Sequence, residues 1–140
     1  MMHSKQNAAF LSVVLDSARY EARVANAGLV APLLWRAGAV EYVESFGLPL
    51  GAMHAASYTQ HTLALQKGDR LLLVSDGVVE AMNGARELWG FERLEDAFRS
   101  VGENAPAALI EAILAQIRAF TGAAPPHDDM TLVAIEVRGE

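Results

Sequence analysis

RLLLVSDGVVEAMN, residues 70–83, combines a short apolar strand, an acidic turn and the start of a helix. Arg70–Val74 predicts a β-strand whose apolar residues are consecutive, which is typical of a strand covered on both faces. Ser75-Asp76-Gly77 ends the strand, and residues 78–82 predict the beginning of a helix. Asp76 therefore lies at the carboxyl end of a buried strand, beside a glycine that allows another backbone segment to approach closely.

Two interpretations of Asp76 follow from this stretch. A carboxylate near a buried strand is costly unless it is paired, hydrogen-bonded or bound to a cation, so Asp76 is a candidate metal ligand. Aspartate is also favoured as the N-cap of a helix, which would give Asp76 a purely structural role. The stretch alone leaves both interpretations open.

Length and composition restrict the class of protein. A chain of 140 residues with 52% hydrophobic residues is long enough for one domain, expected over residues 1–140. A net charge of −6 argues against nucleic acid as a partner, and the absence of cysteine excludes disulfides, thiolate metal sites and a cysteine nucleophile. The sequence has no apolar run of about 18 residues and its start, MMHSKQNAAF, does not resemble a signal peptide, so a cytoplasmic location is expected.

The hydrophobic pattern predicts an α+β fold with strands first and helices near the end. The expected strands are residues 8–15, 20–25, 32–35, 40–43, 58–65, 70–74 and 130–137. The first six are expected to pair in order as an antiparallel meander, with one hairpin joining residues 8–15 to 20–25 and another joining 58–65 to 70–74. Gly68 is expected to have a positive φ in the turn of the second hairpin. Helices are expected over residues 91–101 and 105–121. Gly102 would end the first, and Asn104 would cap the second, with Pro106 in its first turn. The apolar stripe of the second helix is expected to be Leu109, Ile110, Ile113, Leu114, Ile117 and Phe120.

A second acidic position, Asp128-Asp129, directly precedes the last expected strand. If that strand is an antiparallel neighbour of residues 70–74, Asp76 and Asp128 lie at the same edge of the sheet. A divalent cation would relieve the repulsion between these carboxylates, and oxygen ligands suit Mg²⁺ or Mn²⁺. Asp128-Asp129 taken alone also fits an ordinary loop before a strand, but the two acidic positions together favour a metal site.

Five segments together resemble one protein family. They are VANAG (24–28), GLPLGA (47–52), LQKGDRLLLVSDGVVEAMN (65–83), WGFERL (89–94) and HDDMTLVAIEV (127–137). Their order and spacing resemble the bacterial type 2C-like (PPM-type) serine phosphatases named for sporulation stage II protein E, SpoIIE, which include regulators of stress sigma factors. The resemblance extends over the chain from about Phe10.

The resemblance implies an antiparallel β-sandwich with flanking helices and two Mn²⁺ or Mg²⁺ ions at one edge. The ions would activate a water that attacks phosphoserine or phosphothreonine without a phosphoenzyme. Asp76 and Asp128 match the family's metal ligands at its catalytic centre, and Gly77 matches a glycine needed for backbone shape. Asp129 would act beside the ligands rather than on the ion. The expected substrate is a phosphorylated regulatory protein similar to an anti-sigma antagonist.

The chain also departs from the family pattern. Members normally begin with a longer segment, which carries an early aspartate and an Asp-rich motif followed by Gly-His-Gly and supplies the ligand shared by both metals. This chain starts after the equivalent of that segment, so it is expected to be incomplete at the N-terminus, as a fragment or as a degenerate phosphatase. Leu29 stands where the family often has histidine after Asn-Ala-Gly.

The main alternative to an active phosphatase is a non-catalytic pseudophosphatase module that binds a regulatory partner. A haloacid-dehalogenase-like site is excluded because Val74 stands where the nucleophilic aspartate would be. Glu80 and His127 are interpreted as a solvated helix residue and a loop histidine. An uncovered apolar sheet would favour association between copies of the chain.

Overall fold

The computed structural model describes residues 6–126 and 128–139, so His127 lies outside the described residues. The strands are β1 (Phe10–Asp16), β2 (Glu21–Ala27), β3 (Leu33–Arg36), β4 (Ala39–Tyr42), β5 (His61–Ala64), β6 (Arg70–Val74) and β7 (Leu132–Glu136). The helices are α1 (Asp76–Val79), α2 (Gly90–Val101) and α3 (Pro106–Thr121). None of the helices within the described ranges is long and apolar enough to cross a membrane.

The chain divides into two compact units. The first contains the chain up to Ala31 together with Val43–Gln66, and the second contains Pro32–Tyr42 together with the chain from Lys67 onward. The expectation of a single domain over residues 1–140 stays a prediction.

The first unit is built on a three-stranded antiparallel sheet in the order β1-β2-β5. The predicted hairpin of β1 and β2 is confirmed, with register from Phe10 opposite Ala27 to Asp16 opposite Glu21. The carboxylate of Asp16 accepts hydrogen bonds from the backbone N–H groups of Ala18 and Arg19, which closes the turn between the strands.

Buried Asn26 ties two of the family-like segments together in this unit. Its side-chain amide donates to the carbonyl oxygens of Ser45 and Leu29, both at 2.9 Å, and its amide oxygen accepts from the Leu29 N–H. Gly47 lies so close to the Asn26 carbonyl that a side chain there would overlap it. The VANAG turn and the GLPLGA loop therefore have fixed positions relative to each other.

The second unit contains a four-stranded antiparallel sheet in the order β4-β3-β6-β7, with α2 and α3 in the same unit. β6 is an inner strand, paired with β3 on one side and β7 on the other. Four of its five residues are buried, as expected for consecutive apolar residues, and Leu71 and Leu72 belong to the core. This inner strand carries the candidate site at its carboxyl end.

The predicted meander is wrong outside its β1–β2 and β3–β4 pairs, because β2 does not pair with β3. β5 pairs with β2, whereas β6 pairs with β3 and β7, so residues 58–65 and 70–74 do not form a hairpin. Gly68 has the positive φ predicted for the turn, 94°, but this turn joins strands of different sheets. The physical reason is that turn chemistry fixes only the local backbone. The apolar β6 requires neighbours on both edges, and β5 alternates between half-buried and exposed residues.

The two predicted long helices are confirmed, with changes at their ends. In α2, Leu94, Ala97 and Phe98 are buried, whereas Phe91 is 52% exposed. Gly102 follows α2 with an ordinary negative φ. Glycine is required there because a side chain would overlap the indole ring of Trp35.

The expected cap of α3 by Asn104 is wrong. Ala105 occupies the N-cap position without a side-chain hydrogen bond, and Asn104 lies in the preceding turn, where its N–H donates to the Val101 carbonyl. Pro106 lies in the first turn as predicted, and it removes one N–H that a cap would otherwise satisfy. The buried residues of α3 all belong to its predicted apolar stripe: Leu109, Ile113 and Ile117.

A buried ion pair fixes the start of β6 in the second unit. The Arg36 guanidinium donates to both carboxylate oxygens of Asp69, from Nε at 2.9 Å and from Nη2 at 2.7 Å. The Asp69 side chain is only 1% exposed. The hydrogen bond to Asp69 raises the pKa of Arg36 above its ordinary value, against an opposing effect of burial. Arg36 therefore keeps its positive charge at neutral pH.

Replacing Arg36 by Met is expected to lower the free energy of unfolding by about 2–3 kcal/mol, because it leaves the buried Asp69 carboxylate without its guanidinium. Urea unfolding measures the change. Because the pKa of Arg36 is raised above its ordinary value, this contribution would be lost only at strongly alkaline pH and should be constant near neutrality. The matched control is Arg99→Met, which removes the exposed pair with Asp96 and should change stability by about 0.5 kcal/mol or less. Equal effects of the two substitutions on the free energy of unfolding would contradict the stabilising role of the buried Arg36–Asp69 pair.

Candidate metal centre

The candidate site lies where β6 ends and β7 begins. The two strands are antiparallel neighbours with register from Arg70 opposite Glu136 to Val74 opposite Leu132. The carboxyl end of β6 and the amino end of β7 therefore share one edge of the sheet, as required by the sequence argument. Asp76 follows the first strand end by two residues, and Asp128 and Asp129 precede the second.

Ser75 extends the pairing beyond the strands and was missed by the sequence reasoning. Its backbone N–H donates to the Thr131 carbonyl at 3.0 Å, and its hydroxyl oxygen accepts from the Thr131 N–H at 2.9 Å. The same hydroxyl donates to the Asp129 carbonyl at 3.3 Å. A serine directly before Asp-Gly was the available signal, because its hydroxyl readily bonds to nearby backbone groups.

Gly77 brings α1 against the backbone that carries the second acidic pair. A Cβ at this position would overlap the Asp129 carbonyl oxygen and would lie 2.9 Å from the Asp129 carbonyl carbon and 3.5 Å from that of Asp128. Any other residue at position 77 would push these two segments apart. Ser75 and Gly77 together hold the backbone of Asp76 next to that of Asp128 and Asp129.

The expected helix over residues 78–82 is wrong in extent. α1 is a single turn from Asp76 to Val79, and Glu80 is its C-cap. The chain then turns back on itself, because Met82 pairs with Leu88 and the Asn83 side chain accepts from the N–H groups of Ala85 and Glu87. Asparagine bonds of this kind compete with helix continuation.

The interpretation of Asp76 as an N-cap is also wrong. Ser75 occupies the N-cap position, without a side-chain capping bond, and Asp76 is the first helical residue. The Asp76 carboxylate is half-buried, whereas Asp128, Asp129 and Glu80 are exposed. Glu80 is therefore solvated, as interpreted from the sequence. Asp128 uses one carboxylate oxygen, Oδ1, to accept from the Asp129 N–H at 2.7 Å.

The type of donor at this edge fits a divalent cation, but the number of donors is small. Carboxylate oxygens are the ligands that Mg²⁺ and Mn²⁺ prefer. Within residues 6–126 and 128–139, however, no cluster of three or more histidine, aspartate, glutamate or cysteine side chains could hold an ion. Asp76 and Asp128 therefore fit as part of a ligand set.

The family model of stage II sporulation protein E, SpoIIE, matches residues 1–138. The chain belongs to the SpoIIE family. None of the curated proteins matches the sequence. The family proposed from the five segments is thus confirmed, and the short DG and DD motifs at the edge of the second unit's sheet are part of the matched region.

Solved structures show the same fold. The PP2C domain of SiaA from Pseudomonas aeruginosa is 21% identical with a TM-score of 0.80, over 91% of this chain and 50% of that one. The phosphatase domain of SpoIIE from Bacillus subtilis, presoaked with manganese, is 16% identical with a TM-score of 0.75, over 94% and 57%. The RsbU and RsbW domains of a Mycobacterium tuberculosis protein are 26% identical with a TM-score of 0.75, over 96% of this chain and 37% of that one.

These matches confirm a mixed α/β fold of the PP2C type, with antiparallel sheets and a few helices. The chain spans between about a third and somewhat more than half of the length of the three matched chains.

Proposed function

We propose that this chain is the C-terminal portion of a cytoplasmic, metal-dependent serine/threonine phosphatase domain. One observation carries the proposal. In a chain of the SpoIIE family, the Ser75 bonds and the close approach of Gly77 hold Asp76 beside the Asp128-Asp129 segment at one sheet edge. That edge is where the family resemblance locates the metal ligands.

In the proposed reaction, Asp76 and Asp128 each contribute a carboxylate to bound Mn²⁺ or Mg²⁺. When bound, the metal would supply an activated water and would stabilise negative charge on the phosphoryl oxygens. The bond that Asp128 Oδ1 accepts from the Asp129 N–H restrains the carboxylate, which would hold the ion together with Asp76. Ser75 and Gly77 keep the two segments at fixed separation, and Asp129 contributes through its backbone.

A phosphorylated regulatory protein similar to an anti-sigma antagonist is the proposed substrate. Support comes from relatives in regulatory systems, since one matched chain combines an RsbU with an RsbW domain. Association between copies also stays a prediction, which sedimentation would test. In the first unit Phe10 and Phe46 are 56% and 90% exposed, which would favour it.

The proposal predicts Mn²⁺-dependent release of phosphate from phosphoserine and phosphothreonine peptides. The assay uses the longest natural form of the protein that contains residues 1–140, with phosphotyrosine peptides and a sugar phosphate measured side by side. Chelation by EDTA should abolish turnover, and Mn²⁺ should restore it. Preference for phosphotyrosine or for the sugar phosphate would count against the proposal.

A non-catalytic module that binds a regulatory partner is the second candidate. It is favoured by the small number of metal-binding side chains among the described residues. It predicts that the phosphorylated partner binds without loss of phosphate, at an affinity that Mn²⁺ does not change. Turnover of the bound partner would exclude it.

A further inference from the structure

A cavity in the second unit adjoins the candidate metal centre. Its volume is ≈ 280 Å³, and it lies between α1, the carboxyl-terminal end of α3 and the segment that leads into β7. Its walls are mainly apolar and include Ala81, Met82, Ile117, Ala124, Pro125 and Met130. A small, partly open and mainly apolar space of this kind favours one apolar group over a polar or extended ligand.

The cavity borders the proposed reaction site on the Asp128 side. Gly77 and Asp128 both line it, and Gly77 also lies against the Asp129 backbone. A phosphorylated residue bound at Asp128 would therefore place its sequence neighbours at the mouth of the cavity. Adjacent residues of an extended peptide are about 3.3 Å apart and their side chains alternate between two faces, so a side chain one or two positions from the phosphorylated residue is within reach of this space.

The charged residues at the cavity determine which substrate side chains it would accept. Within the part of the chain that the structure describes, the charged residues of the lining are Arg118 and Asp128. Asp128 is proposed to bind a cation, which would leave Arg118 as the uncompensated charge. A lysine or arginine of the substrate would be repelled there, whereas an aliphatic or aromatic side chain would bury its surface against the apolar walls.

We infer that this cavity is a substrate subsite, which binds one large apolar side chain next to the phosphorylated serine or threonine of the protein substrate. The inference rests on the proposed phosphatase function. It assigns specificity to the end of α3 and to Ala124, which are separate from the proposed metal ligands.

The test uses phosphoserine peptides in which leucine replaces alanine at each of the two positions before and after the phosphoserine. In one register, leucine should lower KM by about tenfold relative to alanine, as is usual when an apolar group fills a hydrophobic pocket. Lysine at the same position should not lower KM relative to alanine. The absence of any register that favours leucine would overturn the inference.

Ala124→Phe fills the cavity and should abolish the leucine preference, so that the leucine and alanine peptides have the same KM. Ala123→Phe is the matched control, because Ala123 is the exposed neighbour and does not line the cavity. Thermal melting followed by circular dichroism verifies that both variants fold.

Met82→Ala is the second variant. It widens the cavity and should shift the preference from leucine towards tryptophan. A leucine preference that survives Ala124→Phe would overturn the inference.

Free phosphoserine separates failure of the inference from failure of the proposed function, because it has no flanking side chain. Hydrolysis of free phosphoserine without any leucine preference would contradict only the subsite. If no phosphoserine is hydrolysed, the phosphatase proposal fails. The same leucine scan is then measured as binding of non-hydrolysable phosphonate peptides by fluorescence anisotropy. Loss of a tenfold preference in Ala124→Phe but not in Ala123→Phe would support the subsite, and equal binding of all peptides would overturn it.

Discussion

Replacing Asp128 by Asn is expected to reduce Mn²⁺-dependent phosphoserine hydrolysis by roughly 10²–10³-fold, the loss typical when one electrostatic contact to the reacting group is removed. Asparagine keeps the size of the side chain and an oxygen that can accept from the Asp129 N–H. It lacks the negative charge that a hard divalent cation requires. Asp76→Asn is expected to have an effect of the same size, since both carboxylates are proposed to serve one metal centre.

The control for both substitutions is Asp96→Asn, which removes an exposed carboxylate of α2 that pairs with Arg99. It should leave turnover and Mn²⁺ affinity unchanged. Steady-state kinetics over a range of Mn²⁺ concentrations measures all three variants. An Asp128→Asn protein that binds Mn²⁺ and turns over phosphoserine within a few-fold of the unsubstituted protein would contradict the assignment.

Replacing Gly77 by Ala is expected to reduce turnover and Mn²⁺ affinity together, by about 100-fold in turnover. The added Cβ would overlap the Asp129 carbonyl oxygen, so the Asp76 and Asp128 segments must separate. A displacement of about 1 Å in a catalytic arrangement is enough for a loss of this size. The measurement combines steady-state kinetics with a Mn²⁺ titration.

Gly84→Ala is the matched control for Gly77→Ala. Gly84 is exposed, its added Cβ would meet nothing within 4 Å, and its φ is not in the left-handed region. The same chemical change at position 84 should therefore leave both turnover and metal affinity unchanged. If Gly77→Ala behaves like Gly84→Ala, the close approach at the β6 end has no role in the site.

The parts of the fold that sequence reasoning predicted depend on local pattern. Consecutive apolar residues in 70–74 identified an inner strand, and apolar spacing in 106–121 identified α3, because both patterns directly reflect which side chains are buried. The antiparallel pairing of β6 with β7 was a condition of the site argument, and the structure meets it. The juxtaposition of the acidic segments then follows from strand direction alone.

The parts of the fold that the sequence did not predict depend on which strand pairs with which and on which backbone group each polar side chain binds. Turn chemistry around Gly68 could not show that β5 pairs with β2, because several strands of similar length competed for that edge. The length of α1 was decided by side-chain bonds of Asn83, and the link between the strand ends by the Ser75 hydroxyl. Ser, Asn and Asp have several available backbone partners, and only the folded chain selects one.

Anomalous diffraction from crystals of this protein soaked in Mn²⁺ would show whether Asp76 and Asp128 bind one metal centre. We expect a manganese peak at the β6–β7 edge, with oxygens of both carboxylates within about 2.0–2.6 Å of metal. A peak elsewhere, or carboxylates of Asp76 and Asp128 that point to different faces of the sheet, would show that they do not share a metal.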